Sequence, residues 1–485
     1  MQSMNKYYIT NAIPYVNFRP HLGHALEFIQ SDTIARYQKT LGKDVFLSCG
    51  YDENSLKNVQ AAEEERITVQ ELVDKNGKLF LDLWEKLGIK FDSIVKGSEE
   101  KHIKSSQKLW QLCQKDIYKK SYKGLYCVGC EQFYTKEELD ENGECHEHPG
   151  KPLEEVSEEN YFFKLSNYTD KILKLIESNE LEIVPDFRRN EMLSFVKKGL
   201  EDISISRSNE RAKNWGVPVP NDPTQKVYVW FDALNIYQTA VGFGSDENLY
   251  KKWWPADLHV IGKGIIRFHA VYWPAFLISA GLFLPKKIFV HEYFTVNGQK
   301  MSKSLGNVID PSVLIEKYGA DALRYYCLSK FSPFSDGDFS EEKFRQVYNA
   351  DLANGLGNLI ARVSKLCETS GFKTLAGEKN FHFIDIIEDY KKALDEFRFN
   401  EALSLVFQKI TKLDKFINEE KPWELLKVST NHKGRELSAI LAHAVDQIVE
   451  IGILLEPFMP QTAKKIVDQF TKTDIALQKS LFPRI

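Results

Sequence analysis

The spacing of apolar residues changes character along the chain, and each change marks a boundary. Up to about residue 115, short apolar or β-branched runs alternate with stretches of helical spacing. Lys6-Tyr7-Tyr8-Ile9-Thr10 has the aromatic and β-branched content of a strand. Val45-Phe46-Leu47 is an unbroken apolar run of the kind buried on both faces of a parallel sheet. Between them Phe28, Ile29, Ile34, Tyr37 and Leu41 recur mostly at helical intervals, which predicts a helix over Ala25 to Leu41. From Tyr118 to about Asn221 the texture turns to Gly, Cys, His and Glu, as in a segment inserted between two halves of one sheet. Strand-like runs resume after Lys226: Val227-Tyr228-Val229-Trp230-Phe231, Leu258-His259-Val260-Ile261-Gly262 and Ile288-Phe289-Val290-His291. Past Ser340 only helical spacing remains. Leu403, Val406, Phe407, Ile410, Leu413 and Ile417 follow it, as do Leu437, Leu441, Ala444, Val445, Ile448 and Leu455.

This order predicts an α/β fold: a doubly wound parallel, Rossmann-like nucleotide-binding domain, split by an insertion and followed by an all-α helix bundle. The expected divisions are 1–117 for the first half, 118–221 for the insertion, 222–340 for the second half and 341–485 for the bundle. A length of 485 residues suits several domains rather than one. The net charge of −4 supplies no global basic field, so any nucleic-acid contact must come from local patches. Met1 to Phe18 lacks the apolar core of a secretory signal, and the apolar stretch Ala270 to Leu284 is interrupted by Pro274 and Gly281. It falls short of the roughly 20 residues that cross a bilayer. Seven cysteines, three of them clustered, fit a reducing compartment and a metal site better than disulfides. The expectation is a cytoplasmic protein with no membrane segment.

Two short segments carry the candidate chemistry. His21-Leu22-Gly23-His24 follows the first predicted strand and opens the first predicted helix, where backbone N–H groups and the helix dipole favour anions. Gly23, lacking a Cβ, lets a ligand approach the backbone. Lys300-Met301-Ser302-Lys303-Ser304 places two ammonium groups three residues apart, with small serines beside them, suited to clamping a triphosphate. Alone, the first could be a metal pair and the second an ordinary solvated loop. A third cluster, Cys127-Val128-Gly129-Cys130 and, after fourteen residues, Cys145-His146-Glu147-His148, has the ligand spacing of structural zinc. Cys127, Cys130, Cys145 and His148 are the expected set, with His146 a rival for the fourth position.

The paired His and Lys segments resemble the signature of class I aminoacyl-tRNA synthetases. Further segments narrow the resemblance to the methionyl-tRNA synthetase family in its single zinc-knuckle form. These are Ala12-Ile13-Pro14-Tyr15-Val16-Asn17, Asn160 to Ser166, Trp215 to Pro220, Tyr228 to Ala233, Val296 to Gln299, Asn358 with Arg362, Lys421-Pro422-Trp423 and Pro457 to Pro460. The resemblance implies activation of L-methionine by ATP, with Mg2+, to methionyl-adenylate, followed by transfer to the 3′-terminal ribose of tRNA(Met), initiator and elongator. It implies His21, His24, Lys300 and Lys303 as catalytic groups and His21, Gly23, His24, Lys300, Ser302, Lys303 and Ser304 as the ATP site. The methionine pocket would comprise Ala12, Ile13, Tyr15, Asp52, Trp230, Ala233, Tyr237, Ile265 and His269. The helical tail would be an anticodon-binding domain using Asn358, Arg362 and Trp423. Zn2+ would be structural, one ion per chain, and the short C-terminal end after the bundle implies a monomer.

Around Asp52 the chain departs from the family. It reads Cys49-Gly50-Tyr51-Asp52-Glu53-Asn54-Ser55, where members usually show Thr-Gly-Thr-Asp-Glu-His-Gly, and Phe18 replaces a usual Gly. The rivals are another class I synthetase such as the cysteine enzyme, a different adenylyl-transferring enzyme with the same His pair, and a tRNA-binding protein that has lost catalysis.

Overall fold

The computed structural model describes residues 5–130, 132–134, 138–146, 150, 152–301, 306–374, 387–426 and 431–485. The chain divides into two compact units: Met1–Pro20 with Gln38–Glu85 and Lys90–His291, and His21–Tyr37 with Lys86–Ile89 and Glu292–Ile485.

The first unit is built on a parallel sheet of six strands, in the order Ser93–Lys96, Asp44–Tyr51, Lys6–Asn11, Leu258–Gly262, Lys287–His291 and Glu182–Val184. The apolar runs predicted as strands lie here because both sheet faces are covered. Tyr8, Ile9, Leu258, Val260, Ile261, Ile288, Phe289 and Val290 are all fully buried. The chain winds outward from Lys6–Asn11 through its first half and outward again from Leu258–Gly262 through its second. The two central strands pair in the register Ile9↔Leu258, Thr10↔His259 and Asn11↔Val260. Strand order reverses between them, and the residues beyond their C-terminal ends are where an open α/β sheet binds ligands. The sixth strand, Glu182–Val184, comes from within the segment that reads as inserted. That segment also forms an antiparallel sheet led by Ile117–Cys127 and Glu154–Phe163.

One expected strand is not a strand. Val227 ends the antiparallel strand Asp222–Val227, and Val229–Thr239 is a helix whose every residue is buried. A continuous apolar run suits a fully buried helix as well as a strand, and periodicity alone does not separate them.

In the second unit a small sheet orders Gln299–Lys300, Phe294–Val296 and Gly337–Phe339. The helix predicted from Ala25 begins at Leu22, three residues earlier. The tail is helical throughout its main elements, and Phe399–Glu420 buries Leu403, Val406, Ile410, Leu413 and Ile417. Asn431–Leu455 packs against it and against Pro460–Phe470. Each such Leu, Ile or Val contributes about 1.5–3 kcal/mol by leaving water. Gly434–Leu455 is apolar and long enough by composition to cross a membrane, but more than half of its most apolar stretch is buried by its neighbours. The Pro457 to Pro460 motif has a structural use. Fully buried Arg324 pairs with Asp32 at 2.7 Å and donates to the carbonyls of Phe458 (2.7 Å) and Pro457 (3.0 Å).

Candidate active site

In the first unit the predicted pocket residues follow the C-terminal ends of the sheet strands. Ala12, Ile13 and Tyr15 follow Lys6–Asn11, Asp52 follows Asp44–Tyr51, and Ile265 with His269 follow Leu258–Gly262. Trp230, Ala233 and Tyr237 lie three and four residues apart, on one face of the buried helix. Tyr15 meets Trp230 edge-on at 6.5 Å between ring centroids, and Trp230 meets His269 in the same way at 6.5 Å. Tyr15 and Asp52 form a backbone bridge, and the Asp52 N–H donates to Pro14 O at 2.9 Å.

Hydrogen bonds fix the pocket's polarity. His269 Nδ1 lies 2.9 Å from Ile265 O, a pure acceptor, so Nδ1 carries the proton. Nε2 then accepts from Tyr237 Oη at 2.8 Å. Burial pushes His269 down to about 4, which keeps the ring neutral. Phe268, which sequence reasoning missed, stacks on Trp230 at 3.7 Å and 5°. Its signal was adjacency to His269 in an apolar helix, which is indistinguishable from core packing.

The atypical Asp52–Ser55 segment is held at each residue. Trp215 Nε1 donates to Glu53 O at 2.6 Å, and Glu53 Oε2 accepts from the N–H and hydroxyl of Ser98. The Asn54 N–H donates to Asp52 Oδ1 at 3.1 Å, and its side-chain Nδ2 donates to Asp232 Oδ2 at 2.7 Å and Gly97 O at 2.9 Å. Ser55 caps the helix Leu56–Glu65 by accepting from Lys57 N. Gly50 has no room for a side chain, since a Cβ would lie 2.3 Å from Val95 O.

In the second unit His21 precedes the helix Leu22–Thr40 and His24 lies in its first turn. Their rings stack at 3.8 Å and 21°. Gly23 N donates to His21 Nδ1 at 3.1 Å and His21 N donates to His24 Nδ1 at 3.2 Å. With both Nδ1 atoms accepting, each neutral ring carries its proton on Nε2. Burial pushes His21 down to about 4, while burial and then the charge of His21 hold His24 well below the usual histidine range. The segment therefore carries two neutral rings protonated on Nε2 at a helix start. A Cβ at Gly23 would sit 2.9 Å from His21 Cε1 and 3.6 Å from the Met301 methyl. Leu22 N donates to Ile309 O at 3.0 Å. These contacts join the histidine segment to the chain on both sides of the lysine loop. Met301 and Ile309 are therefore positioning neighbours that the sequence did not reveal.

The loop itself leaves a hairpin in which Asn297 and Gly298 both have positive φ, the conformation of a two-residue type I′ turn. The Lys300 side chain and residues 302–305, hence Ser302, Lys303 and Ser304, lie outside the described residues.

In the inserted segment the Sγ atoms of Cys127, Cys130 and Cys145 lie within 4.8 Å of one another, a group able to hold a metal ion. His148 lies outside the described residues, and His146 is exposed and not part of that group. Tyr134 Oη contacts both Cys130 Sγ (3.2 Å) and Cys145 Sγ (3.3 Å). Trp230 Nε1 reaches the Cys130 carbonyl at 3.5 Å. In the tail, the Arg362 guanidinium lies over the Trp423 ring at 4.7 Å and is held by Asp414 (3.2 Å) and Asn418 (2.7 Å). Asn358 is exposed at the start of the same helix, Asn358–Ser370.

Residues 7–364 match the family model "tRNA synthetases class I (M)", and residues 382–484 match "Anticodon-binding domain of tRNA ligase". The fold and its domain pair are those of a class I aminoacyl-tRNA synthetase. A methionine–tRNA ligase of Brucella suis biovar 1 is 43% identical over 479 residues, covering 96% of this chain and 92% of that protein. One of Thermotoga maritima is 41% identical over 478 residues, covering 95% and 74%. The structure of Mycobacterium tuberculosis methionyl-tRNA synthetase in complex with methionyl-adenylate is similar with a TM-score of 0.92 at 36% identity, over 99% of this chain and 100% of that one. The chain belongs to the methionine–tRNA ligases, and its reaction is the ATP-dependent activation of methionine and its transfer to tRNA.

Proposed function

We propose that the residues described above divide this reaction between them as follows. The methionine carboxylate attacks the α-phosphorus of ATP, forming the methionyl-adenylate anhydride and expelling pyrophosphate. A terminal ribose hydroxyl of tRNA then attacks the activated carbonyl and releases AMP. The carboxylate is already a nucleophile, so the protein supplies positioning and charge stabilisation. His21 and His24 donate from Nε2 to the phosphate oxygens, and Lys300 and Lys303, flanked by Ser302 and Ser304, hold the pyrophosphate. Gly23 keeps the backbone open beside them. Magnesium bound with ATP would add cationic charge at the leaving group. Asp52 pairs with the substrate ammonium. The thioether enters among Ala12, Ile13, Tyr15, Trp230, Ala233, Tyr237, Ile265 and His269, where aromatic faces suit a polarizable sulfur. The observation that carries this reading is the pair of stacked imidazoles whose Nδ1 atoms accept backbone N–H groups, which presents two neutral donors at a helix start.

Cys127, Cys130 and Cys145, with His148 as fourth ligand, would hold one structural zinc ion. Three convergent sulfurs fit such a thiolate-rich site, and four protein ligands leave no open position for chemistry. Arg362 and Trp423 form a planar surface for splayed anticodon bases, with Asn358 on the same helix. We also propose that the protein is a cytoplasmic monomer that charges both initiator and elongator tRNA(Met). The test is exchange of labelled pyrophosphate into ATP with each of the twenty amino acids and no tRNA. Exchange with methionine alone is expected. Exchange with another amino acid would overturn the pocket assignment.

A further inference from the structure

Asp232 is a buried carboxylate that the reaction scheme above does not use. It is 2% exposed, its Oδ2 accepts from Asn54 Nδ2 at 2.7 Å, and its Oδ1 has no hydrogen-bond partner. No lysine or arginine pairs with it among the described residues, and its one cationic candidate is His102, whose Nε2 lies 3.6 Å away. The Thr239 hydroxyl proton is directed at Ser105 Oγ or Asn235 O, so Thr239 Oγ1 accepts from His102 Nδ1 at 3.0 Å. The Ser106 hydroxyl, which accepts from Asn235, lies 3.3 Å from Nε2. A buried carboxylate without a counter-charge is costly unless a ligand brings one.

Asn54 links this carboxylate to Asp52. Its backbone N–H holds Asp52 Oδ1 at 3.1 Å, while its side chain is locked by Asp232 Oδ2 and Gly97 O. An asparagine in this place donates to both carboxylates without adding charge between them. We infer that Asn54 and Asp232 are positioning residues of the ammonium site. Asn54 fixes the Asp52 carboxylate, Asp232 fixes Asn54, and the substrate ammonium is the counter-charge for which the pair is built. This rests on the assignment of methionine to the pocket that contains Asp52.

The test compares L-methionine with 2-hydroxy-4-(methylthio)butanoate, in which a hydroxyl replaces the ammonium. The wild-type protein, Asn54→Ala and the isosteric Asp232→Asn are used, with affinity read by calorimetry and methionine activation by pyrophosphate exchange. Both variants are expected to raise the methionine KM and Kd roughly 10- to 100-fold, the range for losing a hydrogen bond to a charged group. The kcat and the KM for ATP should stay within about threefold, and the hydroxy acid should bind each variant as it binds wild type. Equal weakening of both ligands, or loss confined to kcat, would overturn the inference. If Asp232→Asn does not fold, partly exposed Asn54→Ala still decides it. Wild-type protein that shows no methionine-dependent exchange would instead sink the pocket assignment itself.

Discussion

The proposed amino-acid pocket and the histidine segment use the same residue type in opposite ways. In the pocket, both nitrogens of His269 are consumed by protein: Nδ1–H by Ile265 O and Nε2 by Tyr237 Oη. In the proposed pocket the ring serves as wall, its orientation fixed by those two hydrogen bonds. In the segment, His21 and His24 spend Nδ1 on backbone N–H groups and keep the proton on Nε2. In the proposed mechanism the rings donate to charge that appears during reaction. Preformed apolar walls bind substrate and transition state alike, whereas donors that meet developing charge lower the barrier. Substitutions in the first region should therefore move affinity, and in the second, rate.

The largest break in that contrast is expected from His21→Ala or Lys303→Ala. Either should lower kcat of pyrophosphate exchange about 10²–10³-fold, the scale of one lost oxyanion donor, with little change in methionine KM. A raised KM with normal kcat would move the histidine segment into the pocket's class. Next in size, Arg362→Ala removes the guanidinium from Trp423 and should reduce kcat/KM for tRNA charging roughly 10- to 100-fold, as for a lost base-stacking contact. Exchange without tRNA should be untouched, and parallel loss in both assays would refute the separation of functions.

Tyr237→Phe sharpens the other side. It strands a buried His269 Nε2 and should cost about 1–3 kcal/mol of methionine binding, seen as a higher Kd at near-normal kcat. Chelation should release one zinc ion and free three thiols, measured by metal analysis and thiol titration. Its expected effect is a lower melting temperature, and methionine KM should rise modestly because Trp230 Nε1 leans on the Cys130 carbonyl. A chelated protein with unchanged melting would leave the cysteines without a structural role.

The smallest effect is on acidity. His21 sits near 4 in the folded state, below the ordinary value of about 6.5, so the unfolded chain binds more protons between those values. Its contribution to stability is complete above about pH 6.5 and is lost as pH falls toward 4. Melting temperature should fall over that window in wild type and more shallowly in His21→Gln, while exchange activity should persist below pH 6. An alkaline limb of kcat near 6.5, with activity lost as pH rises, that vanishes in His21→Gln would contradict neutral donors.

Much of this was legible in residue order. Val45-Phe46-Leu47, Leu258 to Gly262 and Ile288 to His291 are buried parallel strands because uninterrupted apolar runs of that length need cover on both faces. The bundle faces led by Leu403 and Leu441 are buried as spaced, except for half-buried Phe407. Val229 to Phe231 misled because a helix buried all round loses its polar stripe, so its period is invisible. Glu182–Val184 was missed as a strand of the main sheet because three residues carry too little pattern. Phe268, Met301 and Asp232 escaped notice for a related reason: apolar or single acidic residues in an unmarked context acquire meaning only through what they touch.

By itself the sequence determined which side chains could carry the chemistry and the local elements that present them, since spacing, turn glycines and helix starts are properties of neighbours in the chain. Only the tertiary structure decided which nitrogen of His21, His24 and His269 holds the proton and which carboxylate stands buried without a lysine or arginine partner. It also decided that the Asn54 turn still holds Asp52. Those outcomes depend on hydrogen-bond partners and desolvation contributed by residues far apart in sequence, and no local pattern encodes them.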